Sequence, residues 1–68
     1  MKVKYLGYGT NSLKIGKTYE VLTIEDGWYR VMNENSEEEL LPSRAFEIVD
    51  GDENNVVLIV SDEMLFVK

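Results

Sequence analysis

Apolar positions in this chain recur in short alternating runs, and nowhere over a useful length at helical spacing. Stretches rich in Val, Ile, Leu, Tyr and Phe are separated by clusters of Gly, Asn, Asp and Ser. That is the pattern of an all-β barrel or sandwich. Strands are predicted over 3–6, 18–25, 28–33, 38–41, 46–49 and 56–60. Asp26-Gly27 joins the second and third and is a strong hairpin signal. Pro42, the single proline, has no N–H to give to a ladder and ends the fourth strand. Residues 43–45 then make a tight corner with room for one 3₁₀ turn, and Phe46 is placed in the core beneath it. The stretch "DGDENN", residues 50–55, is predicted to be a hairpin turn into the sixth strand. Residues 61–68 read either as a turn and a seventh strand over 64–67, or as a short helix with Ser61 or Asp62 as N-cap.

A chain of 68 residues holds one domain. A domain this small buries only about 60% of the surface its unfolded form exposes. The predicted organisation is a five-stranded barrel over residues 1–50, with residues 51–68 added as a C-terminal β-hairpin packed on the same domain. The runs "VVLIV" and "MLFV" in that extension are too apolar for a free tail. They are expected to cover an open barrel edge, the alternative being a homodimer paired through the hairpin. The N-terminus lacks the apolar run of a signal peptide. The longest apolar run, residues 56–60, is far below the ~20 residues of a membrane span. A cytoplasmic protein with no membrane contact is expected.

Charge changes the picture. Residues 1–19 carry +4 through Lys2, Lys4, Lys14 and Lys17, whereas residues 20–68 carry −10. The acidic part argues against broad phosphate-backbone binding, which depends on neutralising phosphates with Lys and Arg. Two sharper readings survive: a basic contact patch at the N-terminus beside Tyr5 and Tyr8, or an acidic face that mimics nucleic acid.

Candidate chemistry is sparse. There is no histidine and no cysteine, which removes the commonest general base and the commonest metal ligands. Glu37, Glu38 and Glu39 alternate across a strand or turn and read as solvated surface. "GYG" is a lone fragment with no helix behind it, not a phosphate loop. In "DGDENN", Asp50, Asp52 and Asn54 stand at calcium-loop positions 1, 3 and 5. Asn55 replaces the needed Gly at position 6, and Ser61 the bidentate Glu at position 12. No catalytic residue, metal site or cofactor is expected. Trp28 and Arg30 share one strand face. The pair is either a contact hot spot or a cation–π pair.

The order of motifs over residues 12–49 resembles a Src-homology-3 domain. Leu13, Ile15 and Gly16 precede a long strand with Glu20-Val21-Leu22; Trp28-Tyr29 and Leu41-Pro42-Ser43 follow in register. The chain is similar also to small Src-homology-3-like barrel proteins of Gram-positive bacteria and their phages. The matching elements are Tyr5-Leu6-Gly7, residues 16–22, residues 27–31, Pro42 and residues 46–49. The resemblance implies the barrel fold and no particular activity. It places Trp28 and Pro42 at the positions of the family's groove tryptophan and proline, with Tyr5 and Tyr8 as candidates for the first-strand tyrosines. The groove's remaining tyrosine falls on Ala45, and the acidic loop is missing between residues 8 and 13. Binding of proline-rich peptides in the eukaryotic manner is therefore not expected.

The expected function is a non-enzymatic protein-interaction module for an unidentified protein partner, acting through an aromatic surface of Tyr5, Tyr8, Trp28, Arg30 and Pro42. The alternative is a nucleic-acid-associated regulator, through the basic patch or by acidic mimicry.

Overall fold

The computed structural model describes residues 1–7 and 10–60, and within them the fold is all-β. Strands run over Lys2–Tyr5 (β1), Thr18–Glu25 (β2), Trp28–Met32 (β3), Glu38–Pro42 (β4), Phe46–Asp50 (β5) and Val57–Ile59 (β6), with 3₁₀ turns at Ser43–Ala45 and Glu53–Asn55. The first five strands stand in the order β4-β3-β2-β1-β5, all antiparallel neighbours. Pro42 is the last residue of β4, directly opposite Trp28, so its missing N–H falls where the ladder stops.

One strand holds the molecule together. The first half of β2 pairs with β1, through Glu20, Tyr19 and Thr18. Its second half pairs with β3 on one edge and with β6 on the other. β2 therefore belongs to two sheets, which enclose a core of Val3, Tyr5, Leu13, Tyr19, Val21, Ile24, Tyr29, Val31, Leu41, Ala45 and Phe46. Phe46 sits at the centre of its aromatic part. Its ring lies 5.8 Å from that of Tyr5 and 5.9 Å from that of Tyr29, both tilted, within the range where aromatic pairs add to simple burial.

Local chemistry explains the turns. Asp26 and Gly27 have φ of 53° and 85°, the two positive values that a two-residue type I′ hairpin requires. Between β3 and β4 the buried Asn33 organises the loop: its Oδ1 accepts from the N–H groups of Asn35 and Glu37, and its Nδ2 donates to Glu39. Tyr19 ties the loop before β2 to this turn, accepting from the Lys14 N–H at 2.8 Å and donating to Glu34 at 2.5 Å.

The connection after β5 departs from the expected hairpin. β6 does not fold back on β5; it runs parallel to β2, with Thr23, Ile24 and Glu25 opposite Val57, Leu58 and Ile59. The reason lies in strand lengths. β1 begins at Lys2, and the last backbone bond on this edge joins the Val21 N–H to the Met1 carbonyl. Beyond it the same edge of β2 needs another partner, and β6 supplies one, with the Ile59 carbonyl accepting from Asp26. Two contacts guide the crossing. Gly51 (φ 81°) passes Met1 so closely that a Cβ there would lie 3.1 Å from the Met1 Cα. Tyr29, buried on β3, donates its hydroxyl to Glu53 at 2.6 Å. The predicted elements over 61–68 lie outside the described residues.

Loss of that hydroxyl tests the crossing. Tyr29→Phe is expected to cost roughly 1.5–3 kcal/mol, the range for a hydrogen bond to a charged acceptor, measured by denaturant unfolding. It should also speed amide exchange in β6 ahead of β3. Val31→Ala, at the fully buried centre of β3, should cost about 2 kcal/mol and affect all strands alike.

Candidate interaction surface

The outward face of β2, β3 and β4 gathers the residues that sequence singled out on β3. Register sets the grid: Glu25, Trp28 and Pro42 form one row, and Thr23, Arg30 and Leu40 the next. Met32 and Glu38 follow. Trp28, Met32 and Leu40 are 44%, 43% and 37% exposed, while the residues between them on β3, Tyr29 and Val31, point into the core.

A bulge extends this face onto β2. Val21 pairs with Val31, and Thr23 with Arg30, so two steps on β2 match one on β3. Leu22 is the extra residue, and it is 36% exposed. The bulge shifts the inward set from Tyr19 and Val21 to Ile24, and so turns Thr23 and Glu25 outward beside Arg30.

Arg30 is fully engaged at the centre. Its Nε and one terminal nitrogen meet the two Glu25 oxygens at 2.5 and 2.9 Å, the bidentate geometry that a guanidinium favours. A second contact reaches Glu38 at 3.6 Å. Glu25 also accepts from the Thr23 hydroxyl at 2.6 Å. The Arg30 hydrogen bonds first, and Thr23 second, hold the Glu25 carboxyl down at about 2. The cation–π alternative for Trp28 and Arg30 is not realised. The ring–cation contact found among the described residues is Lys17 over Tyr19, at 5.8 Å.

The five sequence-predicted residues separate. Trp28 and Pro42 come together as cross-strand neighbours, and Arg30 adjoins them. Tyr5 does not join them: it is 1% exposed, packed on Phe46, with its hydroxyl donating to the Thr10 carbonyl. Tyr5 is inward because β1 alternates, and the odd positions Val3 and Tyr5 take the core. Tyr8 lies outside the described residues. Leu22, Met32 and Leu40 were missed, although Met32 follows the same two-residue spacing that links Trp28 to Arg30.

The N-terminal basic patch is partly neutralised by the acidic remainder of the chain. Lys4 pairs with Glu47 at 3.4 Å, Lys17 with Glu34 at 2.7 Å, and the terminal ammonium with Glu20 at 2.9 Å. Asp52 of "DGDENN" accepts from the Asn54 N–H at 2.8 Å and caps the 3₁₀ turn.

No family model, curated protein or solved structure matches the chain. The geometry therefore has to carry the functional reading. No pocket opens among the described residues. No helix among them is long and apolar enough to cross a membrane.

Two pH windows follow. Glu25 titrates lower in the folded state than in the unfolded chain, where carboxylates titrate near 4.3. Its contribution is present above that value and is lost as pH falls toward about 2. Tyr29 moves the other way: burial first, then Glu53, push its hydroxyl up to about 12. Its contribution is present below pH ~10 and is lost as pH rises through 12. Denaturation midpoints measured across pH should fall at both ends. Glu25→Gln should flatten the acid limb, and Tyr29→Phe the alkaline one.

Proposed function

We propose that this protein is a non-enzymatic interaction module that binds another protein through the outward face of β2, β3 and β4. The carrying observation is the Trp28–Pro42 pair: an indole 44% exposed, opposite a proline, bordered by Leu40 and Met32. A rigid strand holds the indole in place, so little side-chain freedom is lost on contact, and Trp is the residue most enriched among binding hot spots. The Arg30–Glu25 pair suits burial, since each charge already has its hydrogen-bonded partner on the same surface.

We further propose the grouping with Src-homology-3-like barrel proteins of Gram-positive bacteria and phages, and a cytoplasmic setting. The strand order and the Trp28–Pro42 register support the barrel grouping. The site differs from the expected one, because Tyr5 belongs to the core. The nucleic-acid alternative is weakened by the ion pairs at Lys4 and Lys17.

Affinity capture from the native host with the full chain, followed by mass spectrometry, tests this. A protein partner should be retained by the natural chain and lost with Trp28→Ala. The affinity should fall about 30-fold or more, the size of a hot-spot loss, while the unfolding midpoint changes little. Undiminished binding by Trp28→Ala, or recovery of nucleic acid that elutes with salt, would contradict it.

A further inference from the structure

Two neighbouring groups on the outer face complement each other. Met32 follows Arg30 by two residues on β3 and stands directly opposite Glu38. Its side chain is 43% exposed. The Nε and one terminal nitrogen of Arg30 are committed to Glu25. The other terminal nitrogen, Nη1, is turned toward the row of Met32 and Glu38, where it meets a Glu38 oxygen at 3.6 Å. That contact is longer than a hydrogen bond. A guanidinium donor with only a long contact thus lies on the row next to a thioether, which is a weak acceptor.

The same thioether is a soft nucleophile. The chain has no cysteine, so no thiolate of its own competes for an oxidant. Of its three methionines, Met1 packs its side chain against the core, and Met64 lies outside the described residues. Met32 is the methionine that the described residues present to solvent, and exposure governs susceptibility to oxidation.

We propose that Met32 is a peroxide-reactive modification site, and that its sulfoxide is held by Arg30 and closes the outer face to a partner. The sulfur lone pair attacks one oxygen of hydrogen peroxide or an alkyl hydroperoxide. The O–O bond breaks and an S–O bond forms. The proton on the transferred oxygen passes to the departing one, which leaves as water or an alcohol. Sulfur is oxidised by two electrons and the peroxide is reduced by two. The new oxygen is a strong acceptor for Arg30 Nη1, and it makes the Met32 and Leu40 end of the face polar. A methionine sulfoxide reductase reverses the step at the expense of a thiol. The effect on binding rests on the role proposed above for this face; the reactivity and the Arg30 contact do not.

The probe is hydrogen peroxide, added to the full chain with isotope-labelled methionine methyl groups and arginine nitrogens. The Met32 methyl signal should convert to the sulfoxide within about threefold of its rate in the urea-unfolded chain, and Met1 should lag about tenfold or more. The Arg30 guanidinium signals should shift as Met32 converts, while the methyls of the buried Val3 and Val31 stay in place. A Met32 methyl as slow as that of Met1, or a sulfoxide that leaves Arg30 unmoved, overturns the proposal. A second arm uses the protein partner that the natural chain retains. Peroxide treatment should weaken its binding about tenfold or more, and a reductase with dithiothreitol should restore it. Met64→Leu should show the same loss and recovery, which assigns both to Met32. Equal binding before and after oxidation, or a loss that reduction does not reverse, overturns the proposal and leaves the Trp28 reading standing. Capture of no partner by the untreated chain overturns that reading instead, and the methyl and guanidinium signals then decide this one.

Discussion

The architecture depends on the unequal length of two paired strands. β2 spans Thr18–Glu25, while β1 spans Lys2–Tyr5. One edge of β2 is therefore only half covered by its antiparallel neighbour. Uncovered backbone donors and acceptors need partners, and the chain supplies them by carrying its C-terminal stretch across to lie parallel to β2. The close pass of Gly51 over Met1 and the Tyr29–Glu53 hydrogen bond both belong to that crossing. It satisfies part of the β2 edge with a short strand that, among the described residues, has β2 as its one strand partner.

The outer face follows from the same strand. The bulge at Leu22 lets one β2 strand serve two sheets, by turning the inward set from Val21 to Ile24. It also brings Glu25 beside Arg30, where the two charges satisfy each other. The charge in the middle of the face is thus balanced locally, and the residues around it are Leu22, Trp28, Met32, Leu40 and Pro42. A surface with its central charges already paired and its aromatic group held on a strand is suited to contact with another protein.

Much of this was legible in the chain. Alternation in β1 to β5 gave the strands to within a residue or two. Asp26-Gly27 gave the hairpin, residues 43–45 the 3₁₀ corner, and Phe46 its core position. Three things were not legible, each for a physical reason. The direction of β6 depends on how far β1 reaches along β2, a tertiary fact that a turn-rich "DGDENN" does not encode. Tyr5 was expected at the surface because tyrosine suits either side of a sheet; its inward position is set by the parity it shares with Val3. Arg30 could have met Trp28 or a carboxylate, and only the register that sets Glu25 and Trp28 opposite each other decides for Glu25. The break in "TYEVLTIE", where apolar spacing passes from Tyr19 and Val21 to Ile24, was the available signal for the bulge.

The most direct test of this account is the direction and partner of β6, read from through-space proton contacts by NMR in the natural chain. The parallel arrangement requires backbone contacts that advance together: Thr23 with Val57, Ile24 with Leu58 and Glu25 with Ile59. Observation of that ladder would place the C-terminal stretch on the half of β2 that β1 leaves open. Antiparallel contacts between residues 57–59 and β5 instead would restore the simple hairpin and contradict the account.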